Sequence, residues 1–247
     1  MKKSSLVLGV LLLSGVLAHA EDKAHAAYQH AMNTGESVDL HFYYPIKGKQ
    51  EPKNNHLVVL VDSKVDTNKV IPESYQKEFE KALALQIASL LERKGYSVSH
   101  YKSTDEIPKE IQEKALIALR IDGNLAVLED IVEESKGASE EKVIDMSSGY
   151  LNLNFFEPKS GDIVHSFGVD VSKIKAVIER VVLERTNSGG FVPRTFVHRI
   201  KETDHDRAIK KIMNQVYQKT MAHVFKEFSK NNMERYQKIA SEMKKRK

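Results

Sequence analysis

The side chains in this sequence that could do chemistry are ten histidines, many carboxylates and a pair of arginines that follow a glycine-rich loop. The histidines include no pair four residues apart, and the chain has no G-x-S-x-G, H-E-x-x-H or phosphate-loop motif. There is no Cys, which excludes thiolate catalysis and Cys-ligated metals. We therefore expect a protein that is not an enzyme and uses no cofactor and no metal ion.

A short stretch, Asp204-His205-Asp206, combines carboxylate and imidazole groups that could ligate a metal. An apolar helical pattern follows it. Acidic residues at the start of a helix complement its dipole and accept hydrogen bonds from free N–H groups, so we favour a helix start over a metal cluster. His165 lies on the apolar face of a predicted strand, and we interpret it as a core or edge histidine.

The arginine pair follows the loop Asn187-Ser188-Gly189-Gly190. Glycine lets a backbone approach a ligand closely, and an arginine fork binds a carboxylate well. Gly189, Gly190, Arg194 and Arg199 are therefore the candidate site for a ligand that carries a carboxylate. Two solvated arginines beside an ordinary loop are the alternative interpretation.

The first twenty residues have the pattern of a cleavable secretory signal peptide. Two lysines precede a thirteen-residue apolar run over 6–18, and Ala18 and Ala20 occupy the small-residue positions before Glu21. A membrane-spanning helix needs about 20 apolar residues, so an uncleaved anchor is the weaker alternative. No later stretch is apolar enough to span a membrane.

Composition limits the domain organisation and the partners expected for the exported part of the chain. Removing 20 residues from 247 leaves 227, which suits one domain with a real core, since 41% of the chain is hydrophobic. Removing Lys2 and Lys3 lowers the net charge from +4 to +2, too small for a nucleic-acid partner. We predict a tether over 21–37, a domain over 38–230 and a basic tail over 231–247.

Hydrophobic patterning predicts the elements of the first half. Alternating apolar and polar residues predict a strand over 38–44, and a continuous apolar run predicts a strand covered on both faces over 57–61. A helix should run from Pro72 to Gly95, and a strand parallel to the previous one should follow over 96–101. A strand-like stretch over 116–129 contains Asp122-Gly123, which is compatible with a hairpin or a bulge. An acidic loop is predicted over 130–142.

The second half begins with a clear hairpin over 151–171, whose turn is Glu157 to Gly161, and a helix is expected over 172–183. A long helix follows from Asp204. The sequence thus predicts a single α+β domain with a mixed sheet, a strand–helix–strand unit, a long hairpin and a long C-terminal helix.

The last helix carries an apolar stripe to Phe228, which Asn231-Asn232 interrupts. The 42 residues over 204–245 would span about 63 Å as one helix, more than the diameter of about 45 Å expected for the domain. The distal part should therefore project. Its apolar positions are candidates for contact with a second copy or an envelope protein: Met233, Tyr236, Ile239 and Met243. A frayed, solvated basic tail is the alternative.

Four segments in this order resemble one known family. The first is Glu80 to Val98, which contains Gly95-Tyr96. The second runs from Gly149-Tyr150 through Glu157-Pro158-Lys159-Ser160-Gly161 to Ser166-Phe167. The third is Ser188-Gly189-Gly190, and the fourth runs from Ala208-Ile209-Lys210 to Tyr236-Gln237-Lys238. The family is that of the neuraminyllactose-binding hemagglutinins, surface and flagellar-sheath adhesins of gastric bacteria. The resemblance implies a location at the outer membrane or cell surface and sialic acid binding to host glycans.

The chain departs from that family in two places. The family's lipoproteins carry a Cys at the end of the signal peptide, whereas this chain has Ala20-Glu21 and is expected to be a paralogue without a lipid anchor. The family's basic sialic-acid-binding segment corresponds here to the acidic stretch over 129–142, whose carboxylates would repel sialic acid. A periplasmic accessory protein that binds a partner protein or envelope component is therefore the second hypothesis.

Processing by signal peptidase is the first testable prediction. The mature N-terminus should be Glu21, because Ala18 and Ala20 fill the small-residue positions that the peptidase recognises. N-terminal sequencing of the protein extracted from the cell envelope checks this, and a chain that still begins at Met1 would contradict it.

Overall fold

The computed structural model describes residues 38–134, 140–186, 194–201 and 205–245. The strands are β1 Leu57–Val61, β2 Lys64–Thr67, β3 Ser97–Tyr101, β4 Ile117–Glu134, β5 Glu140–Phe156, β6 Ile163–Asp170, β7 Lys175–Thr186 and β8 Arg194–Lys201. The helices are α1 Glu73–Arg93, α2 Lys109–Lys114, α3 His205–Glu227 and α4 Lys230–Lys245, and Thr104–Glu106 forms a 3₁₀ turn.

One mixed sheet joins these strands. Its order is β3-β1-β4-β5-β7-β8, with β2 paired to β4 and β6 paired to β5. β1 runs parallel to β3 and β4, and β2 runs parallel to β4. The pairs among β4 to β8 are antiparallel. The predicted α+β fold with a mixed sheet is confirmed.

The strand–helix–strand unit of β1, α1 and β3 is also confirmed. β1 is apolar at every position because both of its faces are covered. Val58 and Leu60 belong to the main core with α1 and α3, whereas Val59 and Val61 belong to a smaller cluster that includes Ile107.

Asp122-Gly123 forms neither of the two predicted features. β4 runs straight through it, with Asp122 opposite Asn152 and Gly123 opposite Leu151 on β5. A Cβ on Gly123 would lie 2.2 Å from the carbonyl oxygen of Tyr150, so the close approach of the two strands requires glycine here. The register shift in β4 lies further on, between Leu128 and Ile131.

Three predicted elements are wrong. Residues 38–44 are not a strand, because side-chain amides of the helices bind this segment: His41 N donates to Asn214 Oδ1 and Tyr44 N donates to Gln86 Oε1. The predicted acidic loop is largely strand, since β4 extends to Glu134 and β5 begins at Glu140.

The third error is the helix predicted over 172–183. From Lys175 onward that segment forms β7, because β5 extends beyond the end of β6 and offers an unpaired edge. Ala176 and Ile178 on β7 are buried in the main core with residues of α3, whereas Val177 between them is exposed on the other face of the strand.

The C-terminal helix breaks, and its second half does not project. Phe228 and Ser229 separate α3 from α4, and Asn232 N donates to Ser229 Oγ at 3.4 Å as α4 begins. Met233 and Tyr236 have no exposed surface and lie in the main core. The expectation of a projecting tail over 231–247 is therefore wrong for the described part, 231–245, because the break lets α4 return to the sheet.

Aromatic stacking holds α4 in place. The Tyr236 ring stacks on His165 at a centroid distance of 4.5 Å and lies 4.8 Å from Phe155. Burial and a hydrogen bond to Glu227 raise the pKa of Tyr236 to about 12. At the far end, Lys244 Nζ donates to the carbonyl oxygens of Gln112 and Glu113 at the end of α2.

Truncation tests the structural role of α4. Ending the chain after Asn231 should abolish cooperative unfolding or lower Tm strongly, because loss of a buried aromatic side chain alone costs about 3–5 kcal/mol. Ending it after Lys244 should leave Tm unchanged. Circular dichroism melts measure both, and a folded truncated monomer with the wild-type Tm would contradict the packing of α4 described above.

Candidate functional site

A loop wraps the C-terminal end of α1 and forms one wall of a pocket. Glu51 N donates to Arg93 O at 2.8 Å, and Asn54 N donates to Gly95 O at 3.0 Å. Gly95 has a φ of +84°, and a Cβ there would lie 2.2 Å from the carbonyl oxygen of Pro52. Glycine is therefore required where the helix ends against the loop.

The break between α3 and α4 forms the other wall. The cavity between the two walls measures about 340 Å³, and we call it the Tyr96 pocket. Its lining includes Asn54, Lys94, Tyr96, Phe228, Lys230 and Gln237. Volumes of this size are typical of small-ligand sites.

Cations in the pocket are paired only loosely. Lys94 Nζ lies 3.8 Å from Glu51 Oε1, and Lys230 Nζ lies 3.9 Å from Glu234 Oε1. Ion pairs of this length at a protein surface contribute little. The ammonium groups are therefore able to turn towards a ligand anion at small cost.

Polar groups deeper in the pocket are partly desolvated. Burial raises the pKa of the Tyr96 hydroxyl, the Gln237 amide beside it acts in the opposite direction, and the carboxylates of Glu234 and Glu51 add to the increase. Gln237 Nε2 is itself buried and has no well-aligned acceptor among the described residues. A buried donor that meets only the Tyr96 hydroxyl, in poor alignment, favours a ligand that supplies a better acceptor.

The predicted carboxylate site is only partly within the described residues. Arg194 and Arg199 lie on β8, at the register positions opposite Thr186 and Val181. Gly189 and Gly190 fall in the segment 187–193, outside what the structure describes. This site remains a prediction, as does the signal-peptidase site at Ala18, Ala20 and Glu21, which also lies outside.

Two of the four residues predicted for partner contact lie in the protein's own core. Met233 and Tyr236 are fully buried, and Ile239 and Met243 are half-buried. Burial against β4 and β6 leaves Met233 and Tyr236 unavailable to a second copy or an envelope protein. The partner prediction is therefore wrong for these two residues.

His205 and Asp206, the described residues of the Asp204-His205-Asp206 stretch, bind different partners. Asp206 lies in the first turn of α3, as predicted, and binds Lys210 at 2.8 Å and Tyr75 at 2.6 Å. His205 turns to Asp145 instead, and its hydrogen bond to that carboxylate raises the pKa of His205. Asp204 lies outside the described residues.

His165 is a half-buried histidine on β6 beside Tyr236.

The sequence alone did not predict the Tyr96 pocket. Its walls come from three segments that are far apart in the chain, near residues 51–56, 94–96 and 228–237. A signal was present, because Gly95-Tyr96 and Tyr236-Gln237-Lys238 both carry the family resemblance. The structure shows that these two segments meet.

Comparison with known proteins agrees with the resemblance. The family model described as neuraminyllactose-binding hemagglutinin precursor matches residues 2–247. The chain belongs to this family. A neuraminyllactose-binding hemagglutinin of Helicobacter pylori is 25% identical over 232 residues, which cover 87% of this chain and 86% of that protein.

A solved structure is more similar still. A crystal structure described as a neuraminyllactose-binding hemagglutinin homolog from Helicobacter pylori shares 66% identity and a TM-score of 0.72. The match covers 83% of this chain and all of that one. Within the described residues, no helix is long and apolar enough to cross a membrane.

The glycine at the pocket wall supplies a test of this geometry. Gly95→Ala should lower the free energy of unfolding by about 2–4 kcal/mol, because it adds a clash with Pro52 to the strain of a positive φ. The matched control is Gly48→Ala, which has a φ of +114° but no atom within 4 Å of the added Cβ, and it should cost only about 1–2 kcal/mol. Urea denaturation measures both, and equal losses would contradict the close contact.

Proposed function

We propose that this protein is a non-enzymatic, exported envelope or surface protein that binds a sialylated glycan, with the acidic sugar in the Tyr96 pocket. One observation carries the proposal. Lysines, aromatic rings and side-chain amides line a cavity of about 340 Å³, together with the carboxylates of Glu51 and Glu234, each of which is paired with a lysine of the lining. Membership of the neuraminyllactose-binding hemagglutinin family supports it.

The chemistry of the pocket matches the parts of such a sugar. Lys94 and Lys230 are placed to pair with a carboxylate, and the amides of Asn54 and Gln237 can bind hydroxyl and acetamido groups. The Tyr96 ring offers an apolar surface with a polar end, which suits a sugar face bounded by hydroxyls. Each of these contacts uses a residue that the lining already contains.

The arginine site stays as the competing location. Arg194 and Arg199, with Gly189 and Gly190, were predicted to bind the same carboxylate, and that hypothesis is independent of the Tyr96 pocket. The acidic stretch is a poor location by comparison. Glu129, Asp130 and Glu133 on β4 present carboxylates, which repel the carboxylate of sialic acid.

The pattern of the N-terminus and the absence of Cys support the proposed localisation. The signal peptide pattern favours export, and a chain without Cys cannot receive the lipid that its family's lipoproteins carry. We propose a peripheral location at the outer membrane, cell surface or flagellar sheath, held by contacts rather than by an acyl chain.

A periplasmic accessory protein that binds a partner is the second candidate. The observation that favours it is an apolar area on the sheet face opposite α3. Leu128 and Val177 are 44% and 45% exposed, and they pair with Met146 and Ile144, which are two residues apart on β5. Surface labelling of intact cells separates this candidate from an adhesin exposed to host glycans.

The glycan proposal is tested by titrating the mature protein with 3′-sialyllactose and with lactose in a calorimeter. The wild type should bind sialyllactose and not lactose, since lactose lacks the carboxylate. Lys94→Gln and Gln237→Leu should each weaken binding about tenfold, the expected effect of losing a hydrogen bond that involves a charged or buried group. Lys77→Gln is the control, because Lys77 is an exposed lysine paired with Glu73 on α1.

The outcomes separate the hypotheses. Arg194→Ala and Arg199→Ala should not change the affinity if the Tyr96 pocket is the site. If these two variants lose binding while Lys94→Gln does not, the arginine site is correct and the pocket is not. If the wild type does not bind sialyllactose, the glycan mechanism is removed and the partner-binding candidate remains.

A further inference from the structure

A group of titratable side chains lies far from the Tyr96 pocket, where the register shift of β4 faces the start of α3. The shift leaves Glu129 and Asp130 without paired residues on β5, and Asp130 adopts a φ of +55°. Asp145 on β5 lies inside the bend and is fully buried. His205, the first residue of α3, reaches the same point.

The donor atoms of this group are close together. His205 Nδ1 lies 3.0 Å from Asp145 Oδ2 and 3.6 Å from Glu129 Oε1. One ligand atom from each of the three residues lies within 4.8 Å of the other two. Asp130 Oδ1 is 3.8 Å from His205 Nε2, at the exposed side of the group.

This spacing is near that of a metal site. Zinc bound tetrahedrally at about 2.1 Å from each ligand holds its donor atoms about 3.4 Å apart. The two distances from His205 Nδ1 lie on either side of that value. Small side-chain shifts would therefore bring an imidazole nitrogen and two carboxylate oxygens around one ion.

Asp145 is positioned by its surroundings rather than by a chance surface contact. Its Oδ1 accepts a hydrogen bond from Asp130 N at 3.1 Å, which leaves Oδ2 directed at the His205 ring. A second carboxylate oxygen fixed in this way is the arrangement that orients metal ligands in proteins. The three ligand residues come from three separate elements, so an ion would connect β4, β5 and α3.

We propose that Glu129, Asp145 and His205 bind a divalent transition metal ion of the zinc, nickel or cobalt class. The imidazole nitrogen sets this class, since magnesium and calcium prefer sites built from oxygen alone and need six or more ligands. Water completes the coordination, because Asp130 lies beside Nε2, on the other side of the imidazole ring from the three donor atoms. The bound ion stabilises the attachment of α3 to the sheet. The proposal is independent of glycan binding.

Zinc is the probe for the test, and the protein is the mature chain without a histidine affinity tag. Calorimetry should show one zinc ion bound per chain, and His205→Gln and Glu129→Gln should each weaken that binding at least tenfold. A hundredfold excess of zinc over Kd should raise Tm by about 5 °C in the wild type and not in His205→Gln. Both substituted side chains are partly exposed, so the variants should fold.

The chain contains a matched control. His100 Nε2 lies 2.6 Å from Asp62 Oδ1, with both side chains about half exposed, so it is a histidine–carboxylate pair that lacks the second acid. His100→Gln should bind zinc as the wild type does. The proposal is overturned if zinc does not bind, if His205→Gln binds it with unchanged affinity, or if calcium binds at the same site equally well.

Discussion

The break between α3 and α4 at Ser229 is the feature on which the C-terminal core and the Tyr96 pocket both depend. An uninterrupted helix over these residues would be longer than the domain, so its distal apolar positions would have no surface to cover. The break returns α4 to β4 and β6, where Met233 and Tyr236 fill the core. The same change of direction places Phe228, Lys230 and Gln237 around one cavity.

The pocket also requires the tight end of α1. Gly95 ends that helix in a left-handed conformation and brings the chain over 51–54 into contact with its last turn. Tyr96 directly precedes β3 and lines the cavity. Two chain reversals, one at Gly95 and one at Ser229, thus form a polar pocket at the edge of an otherwise apolar core.

A buried carboxylate places a second constraint on the fold. Asp145 is fully buried, and a buried charge needs hydrogen-bond partners to be tolerated. The irregular backbone of β4 supplies one through Asp130 N, and the start of α3 supplies the other through His205. The register shift, the positive φ of Asp130 and the placement of α3 are parts of one arrangement around this carboxylate.

Local pattern determined much of this protein from the sequence alone. The correctly predicted elements are the continuous apolar run of β1, the stripe of α1, the hairpin of β5 and β6 and the stripe of α3. Each of these elements buries one face or both, and the spacing of its apolar residues shows which faces are buried. Four segments in order indicated the family, and the mixed α+β class followed from the order of the elements.

Only the tertiary structure decided the rest. Residues 175–183 form a strand instead of the predicted helix, because the free edge of β5 offers hydrogen bonds that no local pattern reveals. The Tyr96 pocket combines residues that lie more than a hundred positions apart in the chain, and the group around Asp145 combines residues that lie tens of positions apart. The spacing of apolar residues shows which face of an element is buried, but it does not show which distant element covers that face. Both candidate sites depend on how distant elements meet.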